Sequence, residues 1–378
     1  MDNIPKILYF GLPRGSYPSN DYAKWFFEVH KELIADGSVR AYFLDHNPMV
    51  LDQYIAKSAT FSIPYLLMIT ARARKFLREI NILHILNQSP RFSGIIPSVS
   101  LFKPRSDFKI VLTVHDILRA DGSIDFSFQR TLENIDCIFV PSEYTKMSVQ
   151  KELECDININ VTYNPINLKK YQPLPSSDRL ALKSRLLSNE SRRSDSIILL
   201  FVGSGLPRKN ISGLIELLSI LIANDRRFQL VIVSHPSPLR NEYRTLATKL
   251  GVEQNLIWFD HIDEDKMPGL YNLSDIFITL SKGEGFCVPV VEAMACGRHV
   301  IASNSTSLPE IVADGGDIVN PDDLDSIARH ILKVIDNKKF EDPVDKAVNR
   351  AKKFSPEAIA SRYLNFYLEL LGNETTYD

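Results

Sequence analysis

At 378 residues the chain exceeds the usual size of a single hydrophobic core, so two domains are expected. Its 44% hydrophobic and 24% charged residues are the composition of a globular protein and argue against a disordered or fibrous one. A formal net charge of −2 gives no global electrostatic case for nucleic acid as a partner.

The opening MDNIPKILYFGLPRG holds too short an apolar run for a signal peptide. No later run approaches the roughly 18 apolar residues of a spanning helix. Cys137, Cys155, Cys287 and Cys296 are scattered, without CxxC or His-rich spacing. That argues against a zinc site or a disulfide framework and for a reducing compartment. A cytoplasmic chain is expected, with membrane association left open.

Short apolar runs alternate with longer helical patterns. Strands are predicted at 6–10 (KILYF), 39–44 (VRAYFL), 82–86 (ILHIL), 109–114 (KIVLTV), 137–140 (CIFV) and 159–163 (INVTY). Between the second and third, SIPYLLMITARARKFLREI (62–80) is amphipathic. Leu66, Ile69, Ala73, Phe76, Leu77 and Ile80 share one face, and Arg72, Arg74, Lys75 and Arg78 lie opposite. An ordinary helix packed on its own sheet is slightly favoured over a membrane contact through 65–80. NPINLKKYQPLPSSD (164–178) carries three prolines and few core residues, so it reads as a linker.

The strand series then restarts at 196–202, 228–233, 256–259, 276–280 and 299–302. Runs this short and this apolar suit strands buried on both faces, and intervening helices imply parallel sheets. The expected fold is therefore α/β, in two domains of similar size. Late in the chain, Ser355-Pro356 supplies a cap and a first-turn proline. Ile359, Tyr363, Phe366 and Leu370 then form one helical stripe that Gly372 could end.

LLFVGSGLPRKNISGLIELLSIL (199–221) reads strand, loop, helix. Gly203 and Gly205 allow a tight turn and close approach of a ligand. Asn210 or Ser212 can cap the helix, whose N-terminus offers N–H groups and a positive dipole end. Arg208 and Lys209 add charge there, mildly unfavourable against the dipole until an anion arrives. A diphosphate site is inferred, although a solvated basic turn explains the segment about as well. The GxGxxG fingerprint fails, because Arg208 occupies its third glycine position.

GEGFCVPVVEAMACG (283–297) places Glu284 and Glu292 around a predicted helix at 289–296, with Pro289 at its start and Gly297 at its end. Glu284 lies on the preceding loop and Glu292 is assigned to the first turn. The N–H groups of Gly285, Phe286, Cys287 and Val288 lie between them. Such a site could take sugar hydroxyls and phosphate oxygens. An acid/base pair is less attractive across a helix start. A dipole-complementing Glu292 beside an incidental Glu284 remains open on spacing alone. DED (263–265) offers the residue types of a metal-binding Asp-x-Asp motif, but a helix-start cluster of acids accounts for it better.

The two glutamates match the E-x7-E pattern of the retaining glycosyltransferases of family four. The likeness runs through LYNLSDIFITLSKGEGFCVPVVEAMACGRHVIASNSTSLPEIVADGG (270–316), FVGSGLPRKN, TVHDI (113–117), FVPSEYTKMSV (139–149) and VTYNPINLKKYQP. This resemblance implies the GT-B fold: two Rossmann-like domains with parallel sheets facing a central cleft. Residues 1–168 plus 355–378 would bind the acceptor, and 169–354 the nucleotide sugar. The C-terminal helix would cross back to the N-domain.

The resemblance further implies roles. Arg208 and Lys209, beside Gly203, would hold the diphosphate. Glu284 and the N–H groups of residues 285–288 would orient the sugar, and Glu292 would take the ribose. His115, at the C-terminal end of a predicted strand, would hydrogen-bond a donor hydroxyl near the reacting carbon; His84 is expected to be structural. The implied activity is metal-independent, retaining transfer of a hexose from a UDP- or GDP-sugar to a glycan or lipid-linked acceptor. No tightly bound cofactor, metal or nucleic acid enters. A sugar-nucleotide epimerase and a non-catalytic binding protein are the alternatives. The chain departs from the family at GLPRGSYPSNDYAKW (11–25), where a Gly-Gly pair is missing, so acceptor contacts from Gly15 or Ser16 are not carried over. It also departs at Ser204, where arginine is common, and at Pro165, where glycine is usual.

Overall fold

Buried β-branched runs can satisfy their backbone only by pairing with one another, and they do so here in two parallel sheets. The computed structural model describes residues 4–12, 38–45, 79–86, 107–115, 117, 132, 134–153, 156–186, 195–225, 227–337 and 344–372. The first sheet contains β1 (Lys6–Leu12), β2 (Arg40–Asp45), β3 (Ile82–Ile85), β4 (Lys109–Thr113), β5 (Cys137–Val140) and β6 (Asn158–Val161), in the order β2-β1-β3-β4-β5-β6. The second contains β7 (Ile197–Val202), β8 (Phe228–Val233), β9 (Leu256–Phe259), β10 (Ile276–Thr279), β11 (His299–Ser303) and β12 (Asp317–Val319), in the order β12-β11-β10-β7-β8-β9. All the predicted strands form. Among the described strands β12 alone was not foreseen: it is a three-residue edge strand with Ile318 exposed, so it carries no buried apolar run.

The described helices are α1 (Glu143–Leu153), α2 (Ser176–Leu186), α3 (Ile211–Asn224), α4 (Arg240–Leu250), α5 (Met267–Leu273), α6 (Val288–Ala295), α7 (Leu308–Val312), α8 (Leu324–Asp336), α9 (Asp345–Lys352) and α10 (Pro356–Leu370). Among the described residues no helix is long and apolar enough to cross a membrane. The predicted helix at 62–80, apart from its last two residues, lies outside the described residues, as do Gly15 and Ser16.

Two compact units result. One draws on residues within 1–117, 125–165 and 356–378; the other is in the main 166–355. In the first, α10 completes the core: Ile359, Tyr363 and Tyr367 pack with Ile7, Tyr9, Val111 and Phe139. His84 sits there fully buried, bonded through Nδ1 to the Tyr367 hydroxyl (2.6 Å) and through Nε2 to Thr113 Oγ1 (2.7 Å). Both ring nitrogens are thus engaged in packing, which gives His84 a structural place. In the second unit, Leu214, Ile215, Leu218 and Leu221 of α3 bury against Leu199, Phe201, Leu230 and Ile278 of the sheet.

The stretch predicted as a linker is more firmly held than its prolines suggested. Ile166 and Tyr171 are buried, and the Ile166 N–H donates to Phe354 O (2.8 Å). The Asn272 side chain accepts from Leu174 N–H (2.8 Å) and donates to Gln172 O (3.0 Å), satisfying an extended segment that has no sheet neighbour to do so. Helix α2 already begins at Ser176, inside the predicted linker.

Candidate active site

The site grows from two loops that leave the C-terminal ends of neighbouring strands, where ligands of open parallel sheets collect. Strand β7 ends at Val202, and a short 3₁₀ turn, Pro207–Lys209, leads into α3. Asn210 caps α3 from a left-handed conformation, its side chain accepting from Gly213 N–H (3.3 Å). Strand β10 ends at Thr279 and delivers Gly283 and Glu284 opposite that turn. The Lys282 N–H donates to Arg208 O (2.8 Å), which ties the two loops together.

Between the loops lies a charged clamp. Lys209 Nζ donates to both carboxylate oxygens of Glu284, each at 2.6 Å. Arg208 Nη1 donates to Gly283 O (2.6 Å) and stands 3.6 Å from Glu284 Oε2. Glu284 is only 4% exposed. Burial pushes its carboxyl upward, but Lys209 and then Arg208 outweigh this and hold it below the usual carboxylate range. The sequence reading supplied a counter-anion to the basic turn from a ligand; Glu284 already supplies part of that charge from within the protein. The three side chains together keep one net positive charge beside the start of α3.

The backbone of Glu284 is pinned from the loop after β11. Its N–H donates to Thr306 Oγ1 (2.8 Å), and Ser307 Oγ donates to its carbonyl (3.0 Å). Ser303 Oγ donates to Ser281 O, close by on the same loop. Sequence reasoning missed these supports, because a Ser/Thr run before a helix reads equally well as capping.

Glu292 is half of a second arrangement. Helix α6 starts at Val288 with Pro289 at its second position, so Glu292 is the fifth helical residue and not in the first turn as predicted. The dipole reading weakens accordingly, since the effect fades beyond that turn. What holds Glu292 instead is Tyr271 of α5, whose hydroxyl donates to Oε2 at 2.6 Å. Burial, then the Glu292 charge, keeps the Tyr271 hydroxyl protonated far above its usual range. Tyr271 was another residue the sequence reading missed, because 21 positions separate it from its partner.

Strain concentrates here. Among the described residues five non-glycines have positive φ, and three of them, Asn210, Cys287 and Thr306, border the clamp or the start of α6. A β-branched threonine at φ 54° is costly, by about 1–3 kcal/mol, and persists only where neighbours over-determine it. Cys287 (φ 69°) turns the chain into α6; burial, then the Glu284 charge, raises its thiol pKa, so it is no nucleophile at neutral pH. Phe286 is buried, edge-on to Phe354 with ring centroids 5.4 Å apart, and anchors the loop between the two glutamates.

The glycines work by space and not by unusual dihedrals, for neither Gly203 nor Gly205 has positive φ. The Gly203 N–H donates to Val233 O (3.0 Å), which extends the sheet. A Cβ on Gly205 would stand 2.3 Å from Ser237 Oγ and 2.7 Å from Ser237 Cβ. Gly205→Ala should therefore lower stability by about 1–3 kcal/mol, read as a fall in the urea midpoint. An unchanged midpoint would show that Ser237 moves aside freely.

His115 belongs to the other unit, just beyond β4. Its Nε2 lies 2.7 Å from Leu86 O; a carbonyl cannot donate, so Nε2 carries the proton and Nδ1 is the acceptor nitrogen. Burial in densely packed surroundings lowers its pKa to about 4, with the Leu86 carbonyl working the other way, so the ring is neutral at neutral pH. Asp116 of the TVHDI segment lies outside the described residues. The DED acids are carried on an exposed 3₁₀ turn at Glu264–Lys266, where Asp263 pairs with Lys266 (2.6 Å) and Glu264 with Lys170 (3.0 Å).

Residues 184–354, which contain the clamp and the Tyr271–Glu292 pair, match the family described as glycosyl transferases group 1. Over this region, a little under half of the chain, the protein is similar to the group 1 glycosyltransferases. One relative is O-antigen chain mannosyltransferase B of Escherichia coli, 32% identical over 170 residues, 44% of this chain and 45% of that protein. The chain spans less than half the length of the first curated relatives it matches. Among solved structures, a glycosyltransferase from Rickettsia africae superposes with a TM-score of 0.77 at 20% identity, covering 98% of this chain and 100% of that one. Anabaena Alr3699/HepE, solved in complex with UDP and glucose, gives 0.68 at 18% identity, covering 97% and 100%. These neighbours share the GT-B fold, and with it this chain's two parallel-sheet domains.

Proposed function

We propose that this chain is a retaining, metal-independent hexosyltransferase. It moves a hexose from a nucleoside-diphosphate sugar to a hydroxyl of a glycan or lipid-linked acceptor. The observation that carries this reading is the buried Lys209–Glu284–Arg208 clamp beside the α3 start, inside the region matched to group 1.

The chemistry follows from where charge develops. As the anomeric bond breaks, negative charge gathers on the departing diphosphate. Arg208, Lys209 and the dipole of α3 stabilise it without reorganising, because Glu284 already holds the cations in place. A lysine ammonium has three donors and two meet Glu284, so one remains in reach of a phosphate oxygen. Lys209 takes one lone pair on each Glu284 oxygen and Ser281 and Cys287 also bond the carboxylate, so a sugar hydroxyl would share or displace one of these weaker contacts. Glu292, steadied by Tyr271, receives the ribose hydroxyls. Neutral His115 accepts a donor hydroxyl at Nδ1. The acceptor hydroxyl attacks from the face the diphosphate leaves, its proton passing to the departing phosphate oxygen, giving retention.

The test is a thermal-shift panel of mannosyl, glucosyl and N-acetylglucosaminyl donors on UDP and GDP, followed by assay of nucleoside-diphosphate release. The relatives' names put mannosyl donors first. A donor at 100 times its Kd should add about 2.7 kcal/mol of stability. It should then be cleaved slowly in water and faster with acceptor. Binding without release would indicate a binding protein; conversion of the sugar with no acceptor would indicate an epimerase.

A further inference from the structure

We propose that His299, Asp317 and His330 form a binding site for one divalent transition-metal ion, of which zinc is the first candidate. His299 Nε2 lies 2.7 Å from Asp317 Oδ2, and His330 Nε2 lies 2.8 Å from the same oxygen. The three ligand atoms all fall within 4.8 Å of one another. In a tetrahedral zinc site with bonds of about 2.0–2.1 Å, ligand atoms stand about 3.4 Å apart. An ion therefore enters if each nitrogen–oxygen contact opens by about 0.6 Å and the two nitrogens, within 4.8 Å of each other, settle at a like spacing, changes that side-chain rotations can supply. Each imidazole then gives its Nε2 lone pair to the ion and carries its proton on Nδ1.

The donor set points to the class of ion. Two imidazoles and one carboxylate suit zinc, nickel or cobalt better than magnesium or calcium, which prefer all-oxygen shells. The three side chains are 11%, 37% and 38% exposed, so remaining coordination positions open to water. The sequence argument against zinc rested on cysteine spacing. This cluster has no sequence spacing to recognise, because β11, β12 and α8 each contribute one ligand.

The location separates this site from the clamp. His299 and Asp317 open their strands, whereas the Glu284 loop leaves the opposite, C-terminal ends. From His299 to Ser303 the strand alone spans about 13 Å, at roughly 3.3 Å per residue. An ion here would bind edge strand β12 and helix α8 to β11. That fits a bracing role, since β12 is short and Ile318 exposed.

The test uses untagged full-length protein, stripped with a chelator and titrated with zinc chloride by calorimetry and thermal shift. Cobalt chloride serves as a spectroscopic probe. One zinc per chain, a raised melting temperature and a visible cobalt band are expected; magnesium should do nothing. His330→Ala sits on a half-exposed helix position and should fold normally. It should weaken zinc at least about tenfold, since losing even an outer partner of a ligand costs that much. No zinc binding by the unaltered chain would overturn the site. So would equal binding by His330→Ala and His299→Gln.

Discussion

Lys209→Ala should lower kcat/KM by at least tenfold, equivalent to about 1.4 kcal/mol of transition-state stabilisation. The loss is expected mainly in kcat, because the charge that Lys209 meets grows as the diphosphate departs. The same change removes the main cation from buried Glu284, and breaking a buried pair on one side costs up to about 3–5 kcal/mol. The two effects separate by pH. In the unaltered protein the carboxyl titrates below its usual value, so its contribution to stability is present above that value and is lost only in acid. Without Lys209, only Arg208 and a hydrogen bond from Ser281 oppose burial, and the carboxyl titrates higher. The variant's deficit should then be full at pH 7, smaller near pH 4, and gone only below the lowered value at which the unaltered carboxyl titrates. Urea melts at the two pH values measure this. A folded variant with undiminished turnover would remove Lys209 from the mechanism, and a pH-independent deficit would remove the pair from the stability account.

Tyr271→Phe should raise the donor KM by about ten- to a hundredfold with little change in kcat, the signature of lost ground-state binding. A hydrogen bond to a charged group is worth about 1.5–3 kcal/mol, and here the acceptor is a buried carboxylate that would lose the Tyr271 hydroxyl. If Glu292 takes the ribose, a 2′,3′-dideoxynucleoside diphosphate should bind the variant and the unaltered protein alike. An equal loss with that analogue would assign Tyr271 to the fold and not to the ribose.

How far the sequence carries depends on how local the physics is. Buried parallel strands announce themselves because both faces need apolar residues, as IILLFV and FQLVIV show. Asn210 was readable as a cap, and Pro289 with Gly297 as the bounds of α6 within a residue, because these signals act within one turn. The clamp was readable only in its parts: Arg208, Lys209 and Glu284 were each singled out, but nothing local says that a lysine 75 residues away closes on that carboxylate. Tyr271, Thr306 and Ser307 were invisible for the same reason. Cys287 could not be foreseen in a left-handed conformation, which a cysteine adopts only when its surroundings impose it.

The place of α10 in the first unit's core sets the order in which the molecule can be finished. The Tyr9 and Tyr367 hydroxyls meet at 3.5 Å across 358 positions, and His84 reaches Tyr367 across 283. During synthesis the strands of the first unit emerge first yet wait until the second unit has been made before Tyr363 and Tyr367 close its core. The second unit, in the main one continuous run, can fold as soon as it has left the ribosome. Until α10 arrives, Ile7, Val111 and Phe139 stay open on one side. So the half with the earlier residues is the later to mature, and its slow, non-local closure is the step at which a nascent chain is most exposed to aggregation.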